Sequence, residues 1–166
     1  TSGEAHGTGT SSTIKTNVDK FYTDKLSSYV SKLDTNVGFC GDRSNLNQQS
    51  GVGTGTVITY NKGYLRVAEN ESTLTCENTS VYYTVISASS GNKKLEYPIG
   101  LITADEVMLA GGSTNENKNY YLYNENIKTA YYTMTSSTIS DTYRPFVVDT
   151  NGALLTEVSG SLLRGI

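Results

Sequence analysis

Apolar side chains recur at three- and four-residue steps near the start of the chain, at Ile14, Val18, Phe21, Tyr22, Leu26, Val30 and Leu33. That spacing predicts a helix from about Thr13 to Leu33 with one apolar face. Ser11, Ser12 or Thr13 is placed to cap its start. The other face carries Lys15, Asp19, Lys20, Asp24, Lys25 and Lys32. The stripe therefore reads as core contact and the charges as a solvated face, with a partner-binding amphipathic helix as the alternative. Ahead of it, residues 1–11 (TSGEAHGTGTS) are small and polar and read as a flexible arm.

Residues 35–56 offer glycines and amides at most positions and read as loop. Their GVGTGT run lacks the Lys-Ser/Thr and the following helix that a phosphate-cradling loop requires. From Val57 the pattern shortens to alternating runs, VITY, YLRV, STLTC and VYYTVI, of strand composition. Residues 97–112, YPIGLITADEVMLAGG, carry a more specific signal. Thr103 with Glu106 three positions on is a capping box. Val107, Met108 and Leu109 supply an apolar face, and Gly111-Gly112 is placed to end the helix in a left-handed turn.

A polar loop, GGSTNENKN, follows, and then the runs YYLY (120–123), YYTM (131–134) and FVV (146–148). Asp149 to Gly152 is a turn signal, predicting that FVV pairs with Ala153–Leu155 as a hairpin. Helices early, strands late and irregular loops throughout indicate an α+β domain over residues 12–166.

A net charge of −3 with scattered Lys and Arg argues against nucleic acid. No stretch approaches the ~20 apolar residues of a membrane span. Thirteen tyrosines, no tryptophan and abundant Ser, Thr, Asn and Gly predict a surface that hydrogen-bonds with little charge, of a secreted or cell-surface kind. Cys40 and Cys76, 36 positions apart, favour one disulfide over two separate buried thiols. Loop-closure entropy makes such a bridge worth ~3–4 kcal/mol. Two cysteines and one distant histidine, His6, lack metal-ligand spacing, so no metal or cofactor is expected.

FCGDRS (39–44), YPIGLITADEVMLAGG (97–112), the YYLY and YYTM runs and FVVDTNGALL (146–155) occur in that order in a group of bacterial surface proteins of gut Firmicutes type. The chain resembles one of their C-terminal domains, which are similar to the C-type-lectin-like fold in its formylglycine-generating-enzyme-like version. The resemblance implies an extracellular domain with two helices on small twisted antiparallel sheets. It also implies a long loop region stapled near Cys40 and a variable, ligand-facing surface in the C-terminal half. Family members carry tryptophan near Phe21 and after Tyr131, where this chain has tyrosine or phenylalanine. They also continue past Arg164-Gly165-Ile166 into a further strand. Without that strand a sheet edge would be open to a second protomer.

The chemistry of the relatives does not carry over. Cys40 and Cys76 fall in no formylglycine-generating motif, and the Glu-Pro-Asn, Gln-Pro-Asp and Trp-Asn-Asp runs of calcium-dependent lectins are missing. Asp105 and Glu106 are adjacent, but in the first turn of a helix they read as complements of its dipole. No enzyme is expected.

What remains is a surface in which tyrosines from Tyr120 to Tyr143 interleave with Asn and Ser/Thr, the chemistry of antibody paratopes. Asn124, Asn126, Tyr132, Ser136, Thr138 and Tyr143 are the residues expected to face outward and bind. The expected function is an extracellular recognition module presenting residues 113–145 and 156–163 to a protein or glycan ligand. The alternative is a structural subunit of a surface filament or layer, a homo-oligomer completed by strand exchange.

Overall fold

The computed structural model describes residues 13–41, 44, 46, 59–78, 82–85, 93–126, 128–139 and 143–156. The arm 1–11 with His6, the GVGTGT run and residues 157–166 lie outside the described residues. The fold is α+β. In chain order the elements are α1 (Thr13–Phe21), β1 (Gly38–Cys40), β2 (Thr59–Tyr60), α2 (Lys62–Glu69), β3 (Tyr82–Thr84), β4 (Lys93–Lys94), α3 (Ala104–Leu109), β5 (Tyr131–Ile139), β6 (Tyr143–Val148) and β7 (Leu154–Leu155). Among the described residues there are thus three α-helices where two were expected. The smaller sheet has the order β1-β3-β4, with β1 antiparallel and β4 parallel to β3. The larger is wholly antiparallel in the order β2-β5-β6-β7.

The first helix begins where the spacing placed it but changes pitch. After α1 the chain runs through a π-helical turn, Tyr22–Leu26, and a 3-10 stretch, Ser27–Lys32. Thr23 Oγ1 donates to the Lys20 carbonyl at 2.9 Å, and Ser27 Oγ to that of Thr23 at 2.8 Å. Hydroxyls bonded back to carbonyls three and four residues earlier compete with the helical ladder. The Ser27 amide accordingly reaches back to the Tyr22 carbonyl. The change of pitch rotates later residues off the apolar face. Val18 and Tyr22 are buried, and Tyr22 stacks on Tyr97 with ring centroids 5.0 Å apart. Val30, beyond the change of pitch, is 44% exposed, and Phe21, still within α1, is 50% exposed, although both were expected as core contacts.

The helix at 103–110 forms as its caps dictate. Glu106 N donates to Thr103 Oγ1 at 3.1 Å, and Thr103 N donates to Glu106 Oε2 at 2.7 Å. At the other end Gly111 takes φ +97°, its amide donating to Met108 O and that of Gly112 to Val107 O. Those two bonds are the Schellman pattern. The helix inserts Ala104 and Val107, both 0% exposed, into the core, while Leu109 points to solvent at 56%.

YLRV, expected as a strand, is the middle of α2. Asn61 precedes the helix in an extended conformation, and Asn70 closes it with φ 58°, its amide donating to the carbonyls of Arg66 and Val67. Asparagine tolerates the left-handed region better than most residues, so Asn70 is the boundary signal in the sequence. YYLY is a turn, with Tyr123 N donating to Tyr120 O at 3.0 Å, and STLTC is irregular. The hairpin forms as predicted, with Val147 opposite Leu155 and Val148 opposite Leu154. The core gathers Val67 of α2, Ala104 and Val107 of α3, Tyr120, and Phe146, Val148 and Leu154 of the hairpin. Fully burying a side chain such as Phe146 contributes about 1.5–3 kcal/mol, so the hairpin and α3 anchor the C-terminal half. Cys40 and Cys76 form the disulfide, with Cα atoms 5.5 Å apart.

Candidate functional site

The Ser/Thr-rich segment is interior. Thr133, Thr135, Ser136, Ser137 and Thr138 are each at most 5% exposed. Ser136 and Thr138, expected to face outward, are thereby corrected. The reason is sheet order: β5 lies between β2 and β6, and α2 and α3 pack on it. The ladder between β5 and β6 also shifts register between Tyr132 and Ser136 and again between Ser136 and Thr138. Such irregularities leave carbonyls without ladder partners, and the hydroxyls take their place. Thr133 Oγ1 donates to Phe146 O at 3.1 Å, and Ser137 Oγ donates to Arg144 O at 2.9 Å. Asn61, 0% exposed, donates from Nδ2 to Ser136 Oγ at 2.6 Å, and Ala104 N donates to Thr135 Oγ1 at 2.9 Å. These hydroxyls satisfy buried backbone groups rather than greet a ligand.

The exposed amides belong to the loop between α3 and β5. Asn124 and Asn126 are exposed as expected, Tyr132 is half-buried, and the side chain of Tyr143 lies outside those described. The loop is built from turns that close on their own side chains. Asn115 N donates to Ser113 Oγ at 3.2 Å, Asn119 N to Asn117 Oδ1 at 2.9 Å, and Asn126 N to Asn124 Oδ1 at 2.9 Å. Asn117 Nδ2 donates to Gly111 O at 2.8 Å, and Asn117 N to Asn151 O at 3.2 Å, tying the loop to α3 and the hairpin turn. Tyr121 N donates to Ala110 O at 3.2 Å, which sets Tyr121 beside the end of α3 with its side chain 90% exposed. Tyr121 was not among the residues expected to face outward. No sequence signal marked it, because YYLY forms a turn rather than a strand and strand alternation does not apply to it.

Tyr120, Leu122, Tyr123, Asn124, Tyr131, Val148 and Asp149 line a pocket of about 10 Å³. Tyr120 is 7% exposed, and among the described residues its hydroxyl has no hydrogen-bond partner. A buried hydroxyl left unpaired costs ~1–3 kcal/mol. Burial, with the Tyr131 hydroxyl and the Asp149 carboxylate close by, pushes the Tyr120 phenol well above its ordinary range. Burial raises Tyr131 and Tyr132 as well.

A larger cleft of about 90 Å³ lies at the disulfide, lined by Cys40, Arg66, Thr73, Asp105, Glu106 and Thr135 among others. Arg66, Asp105 and Glu106 are engaged within the protein. Arg66 grips Asp105 with two bonds, Nε to Oδ1 at 2.8 Å and Nη2 to Oδ2 at 3.0 Å. Thr73 N donates to the same Oδ1 at 3.1 Å. Asp105 lies in the first turn of α3, where it complements the helix dipole as expected, and it is also 3% exposed. It braces α3 to α2 and to the loop that carries Cys76. Glu106 closes the capping box.

Among the described residues no group of three or more His, Cys, Asp or Glu could hold a metal ion. No described helix is long and apolar enough to cross a membrane. The chain matches no family model, no curated protein and no solved structure.

Proposed function

We propose that the chain is an extracellular recognition module of C-type-lectin-like architecture, which presents the loop 113–129 to a protein or glycan. The observation that carries this reading is Tyr121, 90% exposed on a loop whose backbone is held by its own asparagine and serine side chains. A large aromatic group displayed on a preorganised loop contributes contact area at little entropic cost on binding. The exposed Asn124 and Asn126 add adaptable hydrogen-bonding groups on the same loop. The disulfide supports an oxidising, extracellular setting. In this reading the engaged groups of the Arg66–Asp105 cleft are structural, and the module binds without turning its ligand over.

The test is a screen of the labelled protein on glycan and protein arrays, with Tyr121→Ala in parallel. Reproducible signals that Tyr121→Ala loses, at an unchanged melting temperature, are expected. Signals of equal strength from both proteins, or none above background, would defeat the reading.

A further inference from the structure

We propose that the pocket lined by Tyr120, Tyr123, Tyr131 and Asp149 is a site for one primary ammonium group, that of a lysine side chain on a protein partner. Size comes first. A volume of about 10 Å³ admits one water-sized group. An –NH3+ head is of that size, whereas a guanidinium or a quaternary ammonium is too wide. The walls come next. Tyr120 and Tyr123 stand with ring centroids 6.2 Å apart at 52°, and Tyr131 adds a third ring. Aromatic faces carry negative potential and attract a cation held near them.

Asp149 supplies the countercharge. Its Oδ1 accepts from Asn151 N and Ala153 N, both at 2.8 Å, and among the described residues no hydrogen bond reaches its Oδ2. The Tyr120 hydroxyl, buried beside that of Tyr131 and without a hydrogen-bond partner among the described residues, provides an oxygen to accept an ammonium N–H. An anion would meet the carboxylate, and an apolar group would leave the Tyr120 hydroxyl unpaired. Neither fits these groups as an ammonium does. An unbranched lysine stem can follow its head into so narrow a space, but the ring of an amino sugar cannot. Asn124 lines the same pocket and belongs to the loop that displays Tyr121. A protein could therefore lay a surface against Tyr121 and insert one lysine beneath.

This inference rests on the recognition reading and narrows its ligand to a protein. The probe is Nα-acetyl-lysine methylamide, titrated into the 166-residue chain carrying ring-13C tyrosine and followed by NMR. The uncharged norleucine analogue is the control. Saturable shifts at Tyr120, Tyr123 and Tyr131 are expected with lysine and not with norleucine. Tyr120→Phe and Asp149→Asn, each checked for an otherwise native spectrum, are expected to weaken binding by about tenfold or more, the scale of one charge-assisted contact. An equal response to both probes, or none at all, overturns the inference. So does a water cross-peak at Tyr120 that persists at saturating lysine probe, since the pocket then holds only a buried water. Array signals dependent on Tyr121 alongside a failed titration would remove the lysine site alone, whereas absent array signals strike the recognition reading itself.

Discussion

Arg66 and Asp105, 39 positions apart, meet in a two-pronged ion pair whose side chains are only 16% and 5% exposed. The guanidinium matches both carboxylate oxygens, and the backbone amide of Thr73 adds a third donor. Removing one partner strands a charge where water cannot solvate it. Asp105→Ala is expected to lower unfolding free energy by ~3–5 kcal/mol, read from urea denaturation. The double variant Arg66→Met, Asp105→Leu should lose less than either single truncation, because it leaves no buried charge behind.

Gly152 holds the turn between β6 and β7 at φ +81°, and a Cβ there would sit 2.1 Å from the carbonyl oxygen of Asn117. Backbone strain and collision act together, so Gly152→Ala is expected to cost ~2–3 kcal/mol. Because Asn117 anchors the display loop, amide exchange in residues 113–129 should accelerate in this variant even well below its melting temperature.

Replacing Cys40 and Cys76 together by serine should lower stability by ~3–4 kcal/mol, the loop-closure value for this separation. The loss should appear in the urea midpoint. Alkylation of the native protein without reductant should leave both sulfurs unlabelled.

Tyr120 sets an alkaline limit. Burial and its neighbours raise its phenol, so the folded chain keeps this proton at pH values where the unfolded chain has released it, above about 10. The folded state then binds more protons, and stability falls as pH rises. The contribution is fully present below pH ~10 and is lost above it. Urea midpoints should therefore drop between pH 9 and pH 11, and Tyr120→Phe should reduce that drop. At neutral pH Tyr120→Phe should be as stable as the natural chain or more so, since it removes a buried hydroxyl without a partner among the described residues.

Legibility followed locality. Thr103 and Glu106 exchange bonds across three residues, and Asp149 gathers the amides of Asn151 and Ala153 within four. Such bonds depend on the residues that make them and little else, so α3 and the β6–β7 hairpin were readable. The helix at Tyr64–Val67 was not, because a four-residue alternation suits either period, and only burial of Val67 with Asn70 as its cap decides. Of the outward-facing residues expected, Asn124 and Asn126 are exposed, and they lie in a turn whose geometry their own side chains make.

Ser136 and Thr138 show where sequence stops. A hydroxyl bonds equally well to a ligand, to water or to a neighbouring carbonyl, so a Ser/Thr run does not announce its side of the surface. By itself the chain determined its α+β character, its disulfide pair, the capped helix at 103–110 and the turn at 149–152. Each depends on bonds within a few residues or on a choice of one cysteine partner. Only the tertiary structure placed β5 inside its sheet, joined Arg66 to Asp105 and set Tyr121 out while burying Tyr120. Those outcomes depend on which strands and helices stack, and that is settled by the summed burial of residues far apart in the chain.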